Sequence, residues 1–420
     1  MADPERRVVI TGLGSITSLG LGADLTFEQL LAGKSGVRLI ERWSTEGFST
    51  KIGAEIRDVV YHPLEHYSKR ELRRMDPFTQ VGLVAAREAV ADSGIADADF
   101  DPTRAGSILA TGIGGIQTIL DNQAILLEHG PRRVTPYFIP NTMANSLAAT
   151  VAIEVGLQGA CYLTASACAS SGHAIGMAAR EIRAGYADVM VTGGSETTTN
   201  PLTLAGFSSI KALSTRNDDP TRASRPFDRD RDGFVMGEGA GVLVLESLEH
   251  AQARGAKIYC ELSGFGQSDD AGHITAPDST GRMPARAMSL AMKDAGINPE
   301  DVDYINAHGT STYLNDKIET LAIKIALGEE AARKCCISSS KSMFGHKVGA
   351  ASAVEAVVCA LTLHRGVAHQ TLNLENPDVE NGCDLDYIPN QPREADFRNV
   401  LSNSLGFGGH NVTLAFRKFE

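Results

Sequence analysis

Thr11-Gly12-Leu13-Gly14 and Ser263-Gly264-Phe265-Gly266 share one pattern: a small hydroxyl residue, then two glycines separated by one apolar residue. The first closes the strand-like run Arg7-Val8-Val9-Ile10. Further echoes follow in the same order. A helix ending Asp92-Ser93-Gly94-Ile95 recurs as one ending Asp294-Ala295-Gly296-Ile297. Ser170-Ser171-Gly172-His173-Ala174-Ile175-Gly176 resembles Met343-Phe344-Gly345-His346-Lys347-Val348-Gly349, and in that register Cys168 falls opposite Lys341. Gly193-Gly194 echoes Gly408-Gly409. Self-similarity in constant order predicts a duplicated unit. The boundary falls near 250–260, giving halves 1–255 and 256–420.

Each half alternates strand-like and helix-like segments, the pattern of an α/β protein. Val81 to Ser93 has apolar residues at helical spacing and stops at Gly94, a helix C-cap signal. Asp188 to Gly194 and Gly241 to Glu246 read as buried strands, and Val412 to Phe416 as the last strand. The chain has 420 residues, long for one simple core, which also suggests two packed halves.

The net charge of −12 argues against a polyanion-binding protein. Lys69-Arg70-Glu71-Leu72-Arg73-Arg74 is the densest basic cluster on this acidic background. No apolar run is expected to span a bilayer, and Met1 to Arg7 does not read as a signal peptide. The seven cysteines are odd in number and lack paired metal-type spacing. Reduced thiols in a cytoplasmic protein are the expectation, most of them packing residues.

Chemistry concentrates in three small-residue segments. Cys168 lies in Thr164-Ala165-Ser166-Ala167-Cys168-Ala169-Ser170-Ser171-Gly172, just before a helix expected over Gly172 to Arg183. A helix N-terminus favours the thiolate, which is the nucleophile. A buried packing cysteine is the plainer reading of that segment alone. His308 in Asn306-Ala307-His308-Gly309-Thr310-Ser311-Thr312 and His346 in Lys341-Ser342-Met343-Phe344-Gly345-His346 shift the balance toward acyl-group chemistry. Lys341 with Asp316 or Glu319 could orient the histidines, whereas Lys317 reads as solvated. Asn403-Ser404-Leu405-Gly406-Phe407-Gly408-Gly409 could offer backbone N–H groups to an oxyanion.

With these segments together, the chain resembles the beta-ketoacyl-[acyl-carrier-protein] synthases, specifically the type II elongating enzymes of fatty-acid synthesis, from Val8 to Phe416. Ala184 to Gly194, Ala212 to Asn217, Ser224 to Asp228 and Asp232 to Ala240 add to the resemblance. It implies a thiolase fold, an α/β protein of duplicated five-layered αβαβα architecture, and a homodimer. It implies that Cys168 takes an acyl chain as a thioester. His308 and His346 would then promote loss of CO2 from a malonyl thioester, giving a 3-oxoacyl chain two carbons longer. Lys341 and Glu319 would support the histidines with Asp316 close by, and the N–H groups of Cys168 and Phe407 would form an oxyanion hole. The resemblance further makes Phe407 a gate, sets Thr310 and Thr312 against the pantetheine arm, and has Ile113 line the acyl pocket. Arg73, Arg74 and Lys211, with Lys69 and Arg70, would dock an acidic acyl carrier protein. No metal or resident cofactor is implied, since phosphopantetheine arrives on the carrier; no nucleic acid or membrane partner is implied either.

The chain departs from the family pattern at Leu405 (usually Phe), Tyr313 (commonly Pro), Phe344 (commonly Thr) and His410 (frequently Thr). A polyketide ketosynthase on the same scaffold is the alternative. A chain-length partner subunit would lack the nucleophile, and a thiolase would carry a second cysteine where His346 stands.

Overall fold

The computed structural model describes residues 6–420. Residues 1–5, part of the segment read above against a signal peptide, lie outside that range. Ten strands are named here: β1 (Val8–Thr17), β2 (Ala105–Ala110), β3 (Cys161–Thr164), β4 (Val189–Glu196), β5 (Gly239–Ser247), β6 (Cys260–Asp269), β7 (Tyr304–Asn306), β8 (Cys336–Ser338), β9 (Asn399–Gly406) and β10 (His410–Arg417). They run side by side as β8-β7-β9-β10-β6-β1-β5-β4-β2-β3. Split between β6 and β1, the row gives two five-stranded halves. Counted within its own half, each reads third, second, fourth, fifth, first from its outer edge. The directions match as well. β2–β3 and β2–β4 are parallel while β4–β5 and β5–β1 are antiparallel. β7–β8 and β7–β9 are parallel while β9–β10 and β10–β6 are antiparallel. The duplication expected from the repeats is therefore present in the strand order.

The repeated glycines have a packing reason. Helix α1 (Pro77–Ser93) lies on β1. A Cβ at Gly12 or Gly14 would run into the carbonyl oxygens of Ala89 and Ala85. Helix α4 (Arg282–Ala295; α2 and α3 are defined below) lies on β6 in the same way. There a Cβ at Gly264 or Gly266 would meet the carbonyl oxygens of Ala291 and Ala287. Both helices end at a left-handed glycine, Gly94 at φ 65° and Gly296 at φ 63°.

Helix α2 (Ser146–Val155) joins α1 on the outer face of the N-terminal half, and α5 (Tyr313–Leu327) joins α4 outside the C-terminal half. Between the halves lie α3 (Ser170–Arg183) and α6 (Ala351–Arg365), which contact strands of both. Five layers result. The central layer explains one correction to the sequence reading. Val348–Arg365 is long and apolar enough to cross a membrane by length and composition, yet nearly all of it is buried inside the fold. It is hydrophobic all round because it is packed all round.

Candidate active site

The parallel strands of each half end at the same place, and the loops leaving their C-terminal ends carry the candidate residues. Cys168 lies between β3 and α3, and His308 follows β7. Lys341 and His346 lie between β8 and α6, and Phe407 follows β9. The two halves face each other so that these loops converge. Cys168 Sγ is 3.0 Å from His346 Nε2. One ligand atom each from Cys168, His308 and His346 lie within 4.8 Å of one another. The imidazole rings are 5.2 Å apart and nearly perpendicular.

The cysteine turn is tightly held. Ala167, just before it, has φ 50°, a left-handed conformation uncommon for a residue with a Cβ. Ser170 compensates locally: its hydroxyl accepts from the Ser166 N–H at 2.8 Å and donates to the Ala167 carbonyl at 2.6 Å. The Ser352 hydroxyl donates to the Cys168 carbonyl at 3.3 Å. Gly406 presses on the same turn; a Cβ there would lie 2.8 Å from the Ser166 oxygen and 3.2 Å from the Cys168 nitrogen.

Burial pushes the Cys168 thiol up to about 11, against the pull of the Lys341 charge and of N–H groups from Phe407 and Cys168 itself. The helix-terminus argument favoured a resting thiolate; here desolvation outweighs the attractive contributions. Cys168 therefore rests as a thiol with a hydrogen-bonded imidazole as its proton acceptor. Burial, and then repulsion from Lys341, hold both histidines well below the ordinary imidazole value. They are neutral. Nδ1 of each has no hydrogen-bond partner among the described residues.

Lys341 and Glu319 do not pair with each other. Fully buried Lys341 pairs with Glu355 on α6. Glu319 accepts the N–H groups of His308 and Gly309, each at 2.8 Å. It holds the backbone under the imidazole, and burial raises it to about 7. Asp316 lies one step further back. It accepts from the Phe227 N–H at 2.8 Å and the Ser311 N–H at 3.2 Å, and faces Arg231 at 3.6 Å. Arg231 in turn donates to the Thr312 and Tyr313 carbonyls. Asp316 thus holds the Ser311–Tyr313 turn rather than either imidazole. Lys317 is exposed, as read from the sequence.

Removing one partner of a buried ion pair strands the other charge. Lys341→Met should lower the unfolding free energy by about 3–5 kcal/mol. Lys341→Met combined with Glu355→Leu should recover much of that loss in urea denaturation. Equal destabilisation in the single and double variants would contradict the pairing.

A cavity of about 390 Å³ opens onto this group. Cys168, His308, His346, Thr310, Thr312, Leu405 and Phe407 line it, together with Lys211. The Thr310 and Thr312 hydroxyls touch at 2.9 Å. Ile113 is not part of this lining. It is 40% exposed, and its N–H faces Glu196 on the turn after β2. Lys69, Arg70, Arg73 and Arg74 are exposed, the first two on the short helix Lys69–Leu72. Arg74 stacks over Tyr137.

This geometry meets two family descriptions. Residues 5–251 match "Beta-ketoacyl synthase, N-terminal domain", and residues 259–375 match "Beta-ketoacyl synthase, C-terminal domain". The chain belongs to the beta-ketoacyl synthase family. It is 46% identical over 421 residues to the 3-oxoacyl-[acyl-carrier-protein] synthase 2 of Synechocystis sp., covering 100% of both chains. To the protein of that name from Staphylococcus aureus it is 46% identical, covering 99% of both chains. A solved type II polyketide ketosynthase, bound to a hexaketide and in complex with its acyl-carrier protein, superposes with a TM-score of 0.90 at 36% identity. That match covers 99% of this chain and 100% of the other.

Three residues of this beta-ketoacyl synthase escaped the sequence reading. Glu355 is one; a lone charge inside an apolar helix was the signal. Glu196, at the end of β4, is another. It accepts the N–H groups of Gly112 at 2.6 Å and Gly349 at 3.0 Å, so it ties the turn after β2 to the loop after His346. Burial raises it to about 7. Phe207 is the third, a cavity-lining ring whose centroid is 6.4 Å from that of Phe407.

Proposed function

We propose that the protein extends acyl chains by two carbons through decarboxylative Claisen condensation with malonyl-acyl carrier protein, as a 3-oxoacyl-[acyl-carrier-protein] synthase of fatty-acid synthesis. The observation that carries this reading is the Cys168–His346 contact of 3.0 Å with neutral His308 beside it. In the first half-reaction His346 Nε2 takes the Cys168 proton as sulfur attacks the acyl thioester. The N–H groups of Cys168 and Phe407 receive the developing oxyanion, and the departing carrier thiol takes the proton back. In the second, His308 donates a hydrogen bond to the malonyl thioester oxygen, and His346 does so in the tautomer that carries its proton on Nε2, since the acylated sulfur no longer supplies one. CO2 leaves, and the carbanion attacks the Cys168 thioester. The 3-oxoacyl product departs and a proton from solvent restores the Cys168 thiol. Loss of CO2 generates the carbanion, so no strong base is required. No resident cofactor enters this scheme; phosphopantetheine comes with the carrier protein. Phe407 would gate the cavity, Thr310 and Thr312 would contact the pantetheine arm, and Leu405 would tune chain length. Elongation of defined acyl-carrier proteins from short to long chains tests the reading. Saturated chains extended once support it, and failure to extend any of them contradicts it.

The carrier protein would dock on Lys69, Arg70, Arg73 and Arg74, with Lys211 at the cavity mouth. An acidic partner is steered by such a patch, and salt weakens the attraction. Charge reversal at Arg73 and Arg74 should raise KM for acyl-carrier protein several-fold and leave turnover of acyl-CoA nearly unchanged. Equal losses with both substrates would argue against docking there.

A homodimer fits the sheet. β3 is its terminal strand, and strand order leaves one side of β3 unpaired among the described residues. Ile153 on neighbouring α2 is 82% exposed. A second copy related by a two-fold axis would extend the sheet and cover this region. Sedimentation should give twice the chain mass, and a monomer at micromolar concentration would contradict it. The seven free cysteines fit a reducing, cytoplasmic setting.

A further inference from the structure

The three condensing side chains also form a metal-type donor set. A thiol and two imidazoles are the ligand types of soft and borderline divalent ions. Their spacing in sequence hides this, because each lies on a loop of a different strand. In the fold they offer one ligand atom each, all within 4.8 Å of one another. Tetrahedral zinc with ordinary Zn–S and Zn–N bonds needs ligand atoms roughly 3.3–3.6 Å apart. Sγ of Cys168 and Nε2 of His346 at 3.0 Å must open slightly, and the wider pairs, bounded by 4.8 Å, must close by up to about 1.5 Å. Side-chain rotation would have to supply that. No hydrogen bond at Nδ1 restrains either buried ring among the described residues. The backbones of both histidines stay put, His308 held by Glu319 and His346 donating to the Val235 carbonyl at 2.7 Å. All three residues line the cavity, where a water ligand would have room.

We propose that Cys168, His308 and His346 bind a divalent transition-metal ion, zinc foremost, in the resting enzyme, and that acylation of Cys168 abolishes the site. This rests on Cys168 being the acyl acceptor. On binding, the S–H bond breaks and the S–metal bond forms. One proton goes to solvent, and both imidazoles coordinate as neutral ligands. A thioester sulfur has no anionic form to offer, so the acyl-enzyme lacks the third ligand. The metal is an exchangeable inhibitor rather than a resident group. Two features weaken it: Lys341 lies nearby, and neither Nδ1 has the acceptor that usually supports a metal-bound histidine.

Cobalt(II) titration of the metal-free enzyme tests this without turnover. One equivalent per chain should give a thiolate-to-cobalt charge-transfer band, and zinc should displace it. Cys168→Ser should lose the band and weaken binding by more than the ~10–100-fold typical of removing an outer-shell partner. His308→Asn should weaken binding while keeping the band. Wild-type enzyme acylated beforehand should bind no cobalt and condense normally in zinc, which needs no substitution. Unchanged affinity in Cys168→Ser would overturn the proposal. So would binding lost in His410→Ala, which would place the ion at the surface pair His410–Asp269. A normal cobalt spectrum without elongation would count against the condensing activity alone.

Discussion

Cys168→Ala should reduce acyl transfer and condensation by roughly 10⁴-fold or more, because the variant has no nucleophile to carry the chain. None of the other six cysteines lines the cavity. Cys260, Cys335, Cys359 and Cys383 are buried, and burial raises the thiol of each. The histidines remain in this variant, so malonyl decarboxylation without condensation should persist. The measurement is mass spectrometry of the intact protein after incubation with acyl-carrier protein, beside a CO2 assay with malonyl-carrier protein. Acylation of another cysteine at the wild-type rate would remove Cys168 from its assigned role.

His308→Ala separates the two half-reactions. His346, not His308, makes the hydrogen bond to the thiol. Acylation of Cys168 should therefore survive in His308→Ala, while decarboxylation and condensation fall by about 10²–10³-fold, the cost of one oxyanion-type donor. His346→Ala should impair both halves. The pH dependence follows from the direction of the shifts. Both imidazoles lie well below the ordinary value, so their neutral donor form persists as pH falls through the usual histidine range. In the wild type, decarboxylation should stay flat there and fail only at more acidic pH. A titration of decarboxylation near the unperturbed imidazole value would show instead that the imidazoles are not shifted.

Much of this architecture was legible in the residues, for reasons that packing supplies. Gly12, Gly14, Gly264 and Gly266 repeat because helix carbonyls press on both strands, a constraint that admits no side chain. Gly94 and Gly296 repeat because both helices end in a left-handed residue. Cys168, His308 and His346 were readable because small residues surround each. Partner choice among buried charges was not. Lys341 sits opposite Glu355 rather than Glu319 because α6 runs through the central layer beneath it, a relation of layers rather than of spacing. Thiol acidity has a similar dependence: desolvation of Cys168 is a tertiary property that opposes the attractions readable from its neighbours. Ile113 lies outside the lining of the cavity at Cys168, on a turn that Glu196 ties to the loop after His346 through Gly112 and Gly349.

The most direct measurement is a two-stage single turnover. Enzyme is first incubated with a saturated acyl-carrier protein alone, and the modified peptide is identified; malonyl-carrier protein labelled in its free carboxyl is then added. The expected result is an acyl adduct on Cys168 in the first stage. In the second, labelled CO2 and a 3-oxoacyl chain two carbons longer should appear in equal amounts as the adduct disappears. An adduct on another residue, or a product that keeps the labelled carboxyl, would contradict the account.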